Sequence, residues 1–409
     1  MPWQPRDLMD TKREFLELAS QEGANRRELC RRFGISPKTG YALLRRHALQ
    51  GMSDACKPRS TRPHHSPARS SAAVEQAVIE LRRQHPRWGG RKIAQRLSDL
   101  GFSGVPAPST ITGILHRHGL VTPQASQAAE HWQRFEHELP NALWQIDFKG
   151  YFETGAGRCH PLTVIDDHSR FNLTIAACSQ TNTTRVQDHL QRVFRRYGLP
   201  VRINADNGAP WGSPAKAEHG LSALSVWLIR LGIRISHSAP YHPQTNGKLE
   251  RFHRSLKAEV LNGCSFLDLA QAQDAFEHWR GVYNHERPHE ALGMQTPAAR
   301  YQVSPRAMPA VLAPIEYGPD DRVLTVGWNG WVHFEGRKLR LSSALHRLPV
   351  AMRPDPKADG CFDAFFCHHR FMRLDLRDPQ HHNLSVQGVY YVPAHLLPRS
   401  PVHTLRQRK

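Results

Sequence analysis

The sequence predicts a multidomain α+β protein, with two helical modules at the N-terminus, a central α/β core with a mixed sheet, and a small C-terminal β-barrel. Residues 1–121 contain 21 basic and 10 acidic side chains, so they carry +11 of the net charge of +19 of this 409-residue chain. From residue 143 onward, apolar residues alternate with a period of two, which is typical of strands. Beyond residue 310, short alternating stretches are separated by Gly and Asn, as in an all-β domain.

The strongly positive charge predicts a polyanionic partner, and nucleic acid before a membrane surface. A basic protein without a specific partner is the alternative that charge alone leaves open. No apolar stretch is long enough to cross a bilayer, and the polar start MPWQPRDLMDTKREF is unlike a signal peptide. Seven cysteines without a C-x-x-C pair fit a reducing cytoplasm. The CHH run at 367–369 lacks the second ligand pair of a zinc site.

Residues 1–56 form the first predicted module. The stretch NRRELCRRFGISPKTGYALLRRH, 25–47, predicts two short helices joined by a glycine turn, the first with Leu29, Phe33 and Ile35 on its apolar side. The second helix has a predicted buried side of Tyr41, Leu43 and Leu44, and a basic side predicted to contact DNA, formed by Lys38, Arg45 and Arg46. A basic second helix is typical of a helix-turn-helix, although a purely structural helical hairpin shows the same pattern.

A Pro-, Ser- and Arg-rich linker, 57–71, precedes the second predicted module, 72–121. Helical periodicity places helices near 72–84, 90–100 and 109–118, because apolar residues recur at i, i+4 and i+7. We interpret this module as a second helix-turn-helix, with Arg91 and Lys92 as DNA contacts. Two such modules in tandem would span an extended DNA site. Residues 122–139 are predicted to be a second linker.

The predicted α/β core covers residues 140–305. The stretch LWQIDFKGYF, 143–152, alternates so that Asp147 lies on the polar side of a strand. Two further strands flank the turn DDHSR, a helix ends at Gly198, and another strand ends at Asp206. An apolar helix, a short strand RISH and a helix carrying Glu250 follow. This order predicts a mixed sheet covered by helices.

Three carboxylates of this core predict a metal site. Asp147, Asp206 and Glu250 would meet at strand ends and supply the hard oxygen ligands that Mg²⁺ or Mn²⁺ prefers. Two such ions about 4 Å apart can support in-line phosphoryl displacement. On the helix, Glu250, Arg254 and Lys257 share one face, so two cations could hold a DNA phosphate beside the metal. An ordinary amphipathic helix with a Glu–Arg pair is the alternative.

The segments on either side of these carboxylates have predicted supporting roles. Asn207 and Gly208 allow a sharp turn after Asp206. Entry to the Glu250 helix is predicted to be fixed by Pro243, Asn246 and Gly247, and Lys248 either reaches a phosphate or is solvated. Asp166 and Asp167 are interpreted as turn residues that bond to the backbone. Arg287, Pro288 and His289 are predicted to pack near the last core helix, with a DNA role as the alternative.

Five segments between residues 140 and 302 resemble the retroviral-integrase-like core of insertion-sequence transposases of the DDE superfamily. They are IDFKG, VIDDHSRF, NADNGAPW, PYHPQTNGKLERFHRSLK and YNHERPHEALGMQTPAARY. Upstream, HPRWGGRKIAQRL at 85–97 is similar to the helix-turn-helix arm of these transposases. The resemblance implies a ribonuclease-H-like fold and a DDE polynucleotidyl transferase acting on the ends of a mobile element.

The same resemblance implies that Asp147, Asp206 and Glu250 are the catalytic triad and bind two Mg²⁺ ions, with Mn²⁺ as a substitute. It implies double-stranded DNA, as element ends and as target, for a homo-oligomer in a bacterial cytoplasm. The 43 residues between Asp206 and Glu250 exceed the usual family spacing, and we assign the surplus to 210–220. A DNA-binding regulator with an inactive core and a metal-dependent nuclease without strand transfer are the alternatives.

The C-terminal section, 310–409, is predicted to be the small β-barrel. Its stretch WNGW predicts a hairpin with a two-residue Asn-Gly turn. An accessory role in DNA binding or assembly and a passive role both fit this section.

Overall fold

The computed structural model describes residues 8–57, 70–121, 136–206, 208–212, 221–237 and 247–377. The chain divides into two compact units, Met1–Arg69 and Ser70–Lys409. No helix within the described ranges is long and apolar enough to cross a membrane. All seven cysteines are free thiols.

The first unit contains three helices, α1 (Leu8–Ala19), α2 (Arg26–Arg32) and α3 (Pro37–Cys56). Asn25 and Ser36 cap α2 and α3, because each side chain accepts a backbone N–H three residues later. Phe15, Leu16 and Leu43 are buried in its core. Tyr41 is 47% exposed, so the prediction that it is buried is wrong. It lies two residues before Leu43, which is too far around the helix to share its buried side.

The second unit begins with three helices, α4 (Ala72–Gln84), α5 (Gly90–Asp99) and α6 (Pro108–Arg117), close to the predicted bounds. We call residues 70–121 the second helical module. Its apolar residues form one core, to which all three helices contribute: Val78, Leu81, Trp88, Ile93, Leu97, Ile111, Ile114 and Leu115.

The central core follows the predicted order of elements. Its strands are β1 (Trp144–Phe148), β2 (Phe152–Thr154), β3 (Gly157–Asp166), β4 (Asn172–Cys178), β5 (Arg202–Ala205) and β6 (Arg234–His237). Its helices are α7 (Thr183–Tyr197), α8 (Ala223–Arg230), α9 (Gly247–Leu256), α10 (Leu269–His285) and α11 (Pro297–Arg300). A π-helical turn, Lys257–Leu261, extends α9, and a 3₁₀ turn, Glu290–Leu292, lies between α10 and α11.

The sheet of the core is mixed, as predicted. Its strands follow the order β2-β3-β1-β5-β6, and β4 pairs with β3. The pairs β1–β3 and β3–β4 are antiparallel, whereas β1–β5 and β5–β6 are parallel. Helix α7 ends at Gly198, where φ is +74° and an added Cβ would lie 2.6 Å from the carbonyl oxygen of Ser304. Only glycine fits that turn.

Helices cover both faces of this sheet. Trp144 and Ile146 of β1 and Ile203 and Ala205 of β5 pack with α7 and α8. The opposite face packs against α9 and α10 through residues that include Ile165 and Phe252. Because side chains alternate along a strand, the residues between those of the first cluster point toward α9 and α10.

The C-terminal strands are β7 (Arg322–Thr325), β8 (Trp331–Phe334), β9 (Arg337–Arg340), β10 (Pro349–Pro354), β11 (Cys361–Phe366) and β12 (His369–Asp375). Short 3₁₀ turns lie at Trp328–Gly330 and Ser343–Leu345. Four strands form an antiparallel sheet in the order β12-β11-β10-β7, and β8 and β9 form a separate ribbon. The strands up to residue 377 therefore form no closed barrel, in contrast to the prediction. The apolar side of this sheet packs against the β8–β9 ribbon, where the ring centroids of Phe334 and Phe362 are 4.9 Å apart, and against Val226 and Ile229 of α8.

The predicted Asn-Gly hairpin is also absent at the expected position. Asn329 and Gly330 have positive φ, but they form a 3₁₀ turn before β8. The β8–β9 hairpin turns directly after β8, at Glu335 and Gly336, where φ is +49° and +70°. Residues 329–330 and residues 335–336 all have the positive φ that a two-residue hairpin turn needs. The local preference of Asn-Gly for such a turn therefore did not show which of the two positions joins the strands.

Candidate active site

The pairing of β1 with β5 brings two predicted carboxylates together. Gln145 pairs with Asn204 in parallel register, and Asp147 lies two residues further along β1 while Asp206 follows the last residue of β5. Neighbouring strands lie about 5 Å apart, so the two carboxylates lie at the same end of the strand pair. Gln145 contacts Leu249 of α9, and the alternation along β1 places Asp147 on the same side of the sheet as Gln145.

Asp147 is partly buried, and its charged form is disfavoured. Burial, together with the negative charges of Asp206 and Glu250, raises the pKa of its carboxyl group to about 6. The backbone N–H of Phe148, 2.7 Å from Oδ1, opposes this shift. Asp206 and Glu250 are themselves exposed. The three predicted carboxylates thus interact electrostatically, and Asp147 experiences the repulsion of the other two.

Gln145 fixes the start of the helix that carries Glu250. Its side chain is 1% exposed, and its Oε1 accepts the backbone N–H of Leu249 at 3.2 Å. Its Nε2 donates to Asp167 Oδ1 at 2.9 Å. Asp167 also pairs with the ammonium group of Lys248. In the first turn of α9, Leu249 is therefore held to β1 and Lys248 is held to Asp167, directly after β3.

A second contact holds α9 one turn further on. His253 is buried, and burial lowers the pKa of its imidazole to about 3, so the ring is neutral. Thr163 Oγ1 donates to the carbonyl oxygen of Asp147 at 2.9 Å, so it accepts from His253 Nε2 at 2.7 Å. The backbone of Asp147 and the helix of Glu250 are thus joined through one hydroxyl group.

Asp166 and Asp167 are not part of the carboxylate group. Asp166 is fully buried and accepts hydrogen bonds from Ser169 N at 2.8 Å, Ser169 Oγ at 2.6 Å and Asn141 N at 2.7 Å. Asp167 is 3% exposed; although burial favours its neutral form, Lys248 and Arg170 lower its pKa. These contacts agree with the interpretation of both as structural residues of the turn.

The three carboxylates suit a divalent cation in charge and ligand type. Bringing a cation to Asp147 would remove the repulsion that raises its pKa. Within the described ranges, however, no three His, Cys, Asp or Glu side chains are arranged so that they could hold a metal ion. Three predicted supporting residues lie outside those ranges: Asn207, Pro243 and Asn246. Gly208 and Gly247 are described and flank these segments.

Comparison with protein families assigns the larger part of the chain. Residues 137–243 and 231–297 each match an integrase core domain. Residues 39–115 match a homeodomain-like domain, and residues 321–382 match the C-terminal domain of IS481 family transposases.

Bacterial insertion elements provide similar whole proteins. The chain is 29% identical over 238 residues to an uncharacterized 39.2 kDa protein of element IS476 of Xanthomonas euvesicatoria, covering 57% of this chain and 65% of that one. It is 29% identical over 268 residues to an uncharacterized 31.7 kDa protein of element IS407 of Burkholderia multivorans, covering 64% and 92%. The transposase for element IS904 of Lactococcus lactis is 24% identical over 228 residues, covering 52% and 86%. The domain matches and these relatives together support an insertion-sequence transposase with an integrase-like core.

Among solved structures, the transposase is similar to the HTLV-2 integrase catalytic core domain in complex with magnesium. That similarity covers 41% of this chain and 100% of the other, with 18% sequence identity and a TM-score of 0.33. The chain spans slightly less than two thirds of the IS476 protein.

The cations that were predicted to contact DNA differ in their surroundings. Arg254 and Lys257 are exposed on the side of α9 and its extension that carries Glu250, and Lys38 and Arg45 are exposed on α3, with Arg46 half-exposed. Lys248 pairs with Asp167, and burial lowers the pKa of its ammonium group to about 8. Arg91 lies 3.6 Å from Glu290, and Lys92 is partly buried. The DNA contacts stay predictions, and these pairings do not favour them for Lys248 and Lys92.

Sequence reasoning missed Gln145, Thr163 and His253 as parts of the site. A weak signal existed for two of them. Gln145 is a polar residue between buried positions of β1, two residues before Asp147 and therefore on the same side of the strand. His253 follows Leu249 at i+4, on the buried side of α9. Thr163 gave no signal, because its role depends on its pairing opposite Asp147.

We predict that Asp147→Asn stabilises the metal-free transposase. The carboxyl pKa is raised from 3.8 to about 6 on folding, so wild-type stability falls as the pH rises through this interval and the penalty persists above it. The variant should therefore gain on the order of 2 kcal/mol in free energy of unfolding at pH 8. The two proteins should converge near pH 4. Thermal unfolding followed by circular dichroism measures the difference.

Added Mg²⁺ should raise the melting temperature of the wild type at pH 8 more than that of Asp147→Asn, because only the wild type keeps all three charges. Asp188→Asn, an exposed carboxylate on α7, is the matched control and should change neither curve. A variant that is less stable than wild type at pH 8, with no Mg²⁺ effect on either protein, would show that the carboxylates do not crowd one another.

Proposed function

We propose that this transposase binds the ends of its insertion element, cleaves DNA there in a metal-dependent reaction, and joins the cleaved strand to target DNA. The observation that supports this most directly is the approach of Asp206 and Glu250 to Asp147, on the side of the sheet that faces α9, inside an integrase core domain. Such a set of carboxylates is suited to DDE polynucleotidyl transfer.

Asp147, Asp206 and Glu250 would hold two Mg²⁺ ions, with Mn²⁺ as a substitute. When bound, the ions would supply Lewis-acid assistance to phosphoryl displacement. The chain's own contribution is to keep the three carboxylates on one side of the sheet. Gln145 and the Thr163–His253 pair do so by fixing α9 to β1.

The proposed reaction has two displacements. In the first, a water oxygen attacks a phosphorus atom at the element end, the bond from phosphorus to the 3′-oxygen breaks, and a 3′-hydroxyl group is released. In the second, that hydroxyl group attacks a phosphorus atom of target DNA and displaces a target 3′-oxygen. Neither displacement needs a covalent bond to the protein. Arg254 and Lys257 would hold the backbone phosphates beside Glu250.

Element ends would be recognised by the N-terminal helical modules acting as tandem helix-turn-helix units. The match of residues 39–115 to a homeodomain-like domain supports a DNA-binding role, and α3 presents exposed Lys38 and Arg45. We further propose that the transposase works on double-stranded DNA as a homo-oligomer, in a bacterial cytoplasm. Bacterial insertion-element relatives support the last point.

The carboxylate substitutions Asp147→Asn, Asp206→Asn and Glu250→Gln should each abolish cleavage and joining while binding to element ends is retained. Each substitution keeps the size of the side chain but removes a charge that the ions need. The losses should not add, because a site that lacks one ligand already lacks the full function. Mg²⁺-dependent cleavage of a duplex carrying the element terminus, with detection of joined products, measures both steps.

Asp274→Asn is the matched control, since Asp274 is an exposed carboxylate on α10, which covers the same face of the sheet. It should keep full activity. Full activity of Glu250→Gln would exclude Glu250 as a ligand. Cleavage without any joined product in the wild type would indicate a nuclease instead.

Lys257→Ala should weaken binding of the full-length transposase to DNA and reduce the slope of log affinity against log salt by about one. The reason is the loss of one phosphate contact beside the site. Arg195→Ala removes an exposed cation from α7, on the opposite face of the sheet, and should leave the slope unchanged. Equal slopes for wild type and Lys257→Ala would make Lys257 a solvated residue without a phosphate contact.

A further inference from the structure

Helix α5 of the second helical module lies against the catalytic core. Arg96 Nη2 is 2.6 Å from Glu286 Oε2, immediately after α10, and Arg91 Nη1 is 3.6 Å from Glu290 Oε2. The Arg96 and Glu286 side chains are 19% and 38% exposed, so their pair is partly shielded from water. Residues nearly two hundred positions apart in the sequence are thereby joined.

Apolar contact accompanies these ion pairs. Val282 of α10 packs against the buried cluster of the second helical module, to which Ile93 and Leu97 of α5 belong. The module is therefore in contact with the core through both charge and packing, and the contact surface is α5.

The contact continues to the helix that carries Glu250. Glu259 lies in the π-helical turn that extends α9, where it pairs with Arg287 and accepts the indole N–H of Trp279 at 2.9 Å. The Glu259 and Arg287 side chains are 13% and 9% exposed. Arg287 directly follows Glu286, so the residue that pairs with α5 and the residue that pairs with the end of the Glu250 helix are neighbours in the chain.

The cations of α5 are thus placed against carboxylates of the core. Arg91 and Arg96 pair with Glu290 and Glu286, so these two cations have partners within the protein. A cation held in this way contributes less to the attraction of DNA phosphates than a free one. The side of α6 that includes Ser109, Thr110 and His116 remains exposed.

We propose that α5 is a docking helix whose Arg96–Glu286 pair positions the second helical module relative to the three carboxylates. Resting on the proposed function, this means that end DNA bound by the module enters the site in one register. Arg96 and Glu286 are positioning residues that act through the placement of the module, and Arg287, next to Glu286, joins the same contact to Glu259 at the end of the Glu250 helix.

The test uses a charge reversal of the half-exposed pair in the full-length protein, because truncation of the buried Glu259–Arg287 pair would risk the fold. Arg96→Glu, Glu286→Arg and the double variant are compared with wild type. A cavity of about 320 Å³, lined by residues that include Arg96, Asp99 and His285, leaves room beside the pair for the reversed side chains. Arg83→Glu, which reverses an exposed cation on α4 of the same module, is the matched control.

Three quantities are measured with a duplex carrying the element terminus and Mg²⁺: the dissociation constant, the single-turnover cleavage rate of the bound complex, and the position of the cut. Each single reversal should slow cleavage on the order of tenfold or more and scatter the cut position, since small misplacements are costly to reactions that depend on orientation. The dissociation constant should change far less. The double variant should regain the wild-type rate and cut position, and Arg83→Glu should keep both.

Single reversals that cleave as fast and at the same position as wild type would overturn the proposal, and so would a double variant that is not rescued. If a reversal prevents folding, as judged by melting curves, Arg96→Gln and Glu286→Gln give the same comparison of rate with binding. A wild-type protein that does not cleave would contradict the proposed function itself. Wild-type cleavage with unaffected reversals would contradict only the docking inference.

Discussion

The side chain of Gln145 is the contact on which the geometry of the site depends most. It is buried on β1, accepts the backbone N–H of Leu249 and donates to Asp167, which in turn pairs with Lys248. A buried amide loses much of its stabilising effect if either partner is absent, so these contacts specify one position for the start of α9. The parallel pairing of β1 with β5 brings Asp147 near Asp206, which follows β5, and the charges of Asp206 and Glu250 both act on Asp147.

The mutual repulsion of the carboxylates follows from that geometry. Asp147 has its pKa raised by burial and then by its two acidic neighbours. A fold that holds such a group in place is less stable without a cation than with one. The neutral His253, joined through Thr163 to the backbone of Asp147, keeps the helix close without adding another charge.

Much of the core could be predicted from sequence because its strands and helices have clear hydrophobic periodicity and its turns contain Gly, Pro, Asn or Asp. The strand of Asp147, the hairpin around DDHSR and the buried stripe of α9 all depend on local pattern. The roles of Gln145 and His253 could not be predicted, since their partners lie 104 and 90 residues away. The C-terminal barrel was not confirmed in the described residues, because β8 and β9 pair only with each other and pack on the four-stranded sheet without closing it. The DNA contacts of Arg91 and Lys92 on α5 stay predictions, and the pairing of Arg96 with Glu286 could not be predicted because its partner lies 190 residues away.

Asp147, Asp206 and Glu250 are proposed to hold metal ions together, and anomalous X-ray scattering from crystals grown with Mn²⁺ can locate such ions. Anomalous density should lie within coordination distance of oxygens from all three side chains, and it should be absent in Glu250→Gln crystals. Density that contacts Asp147 and Asp206 but remains unchanged in Glu250→Gln, or that lies elsewhere on the protein, would contradict this proposal.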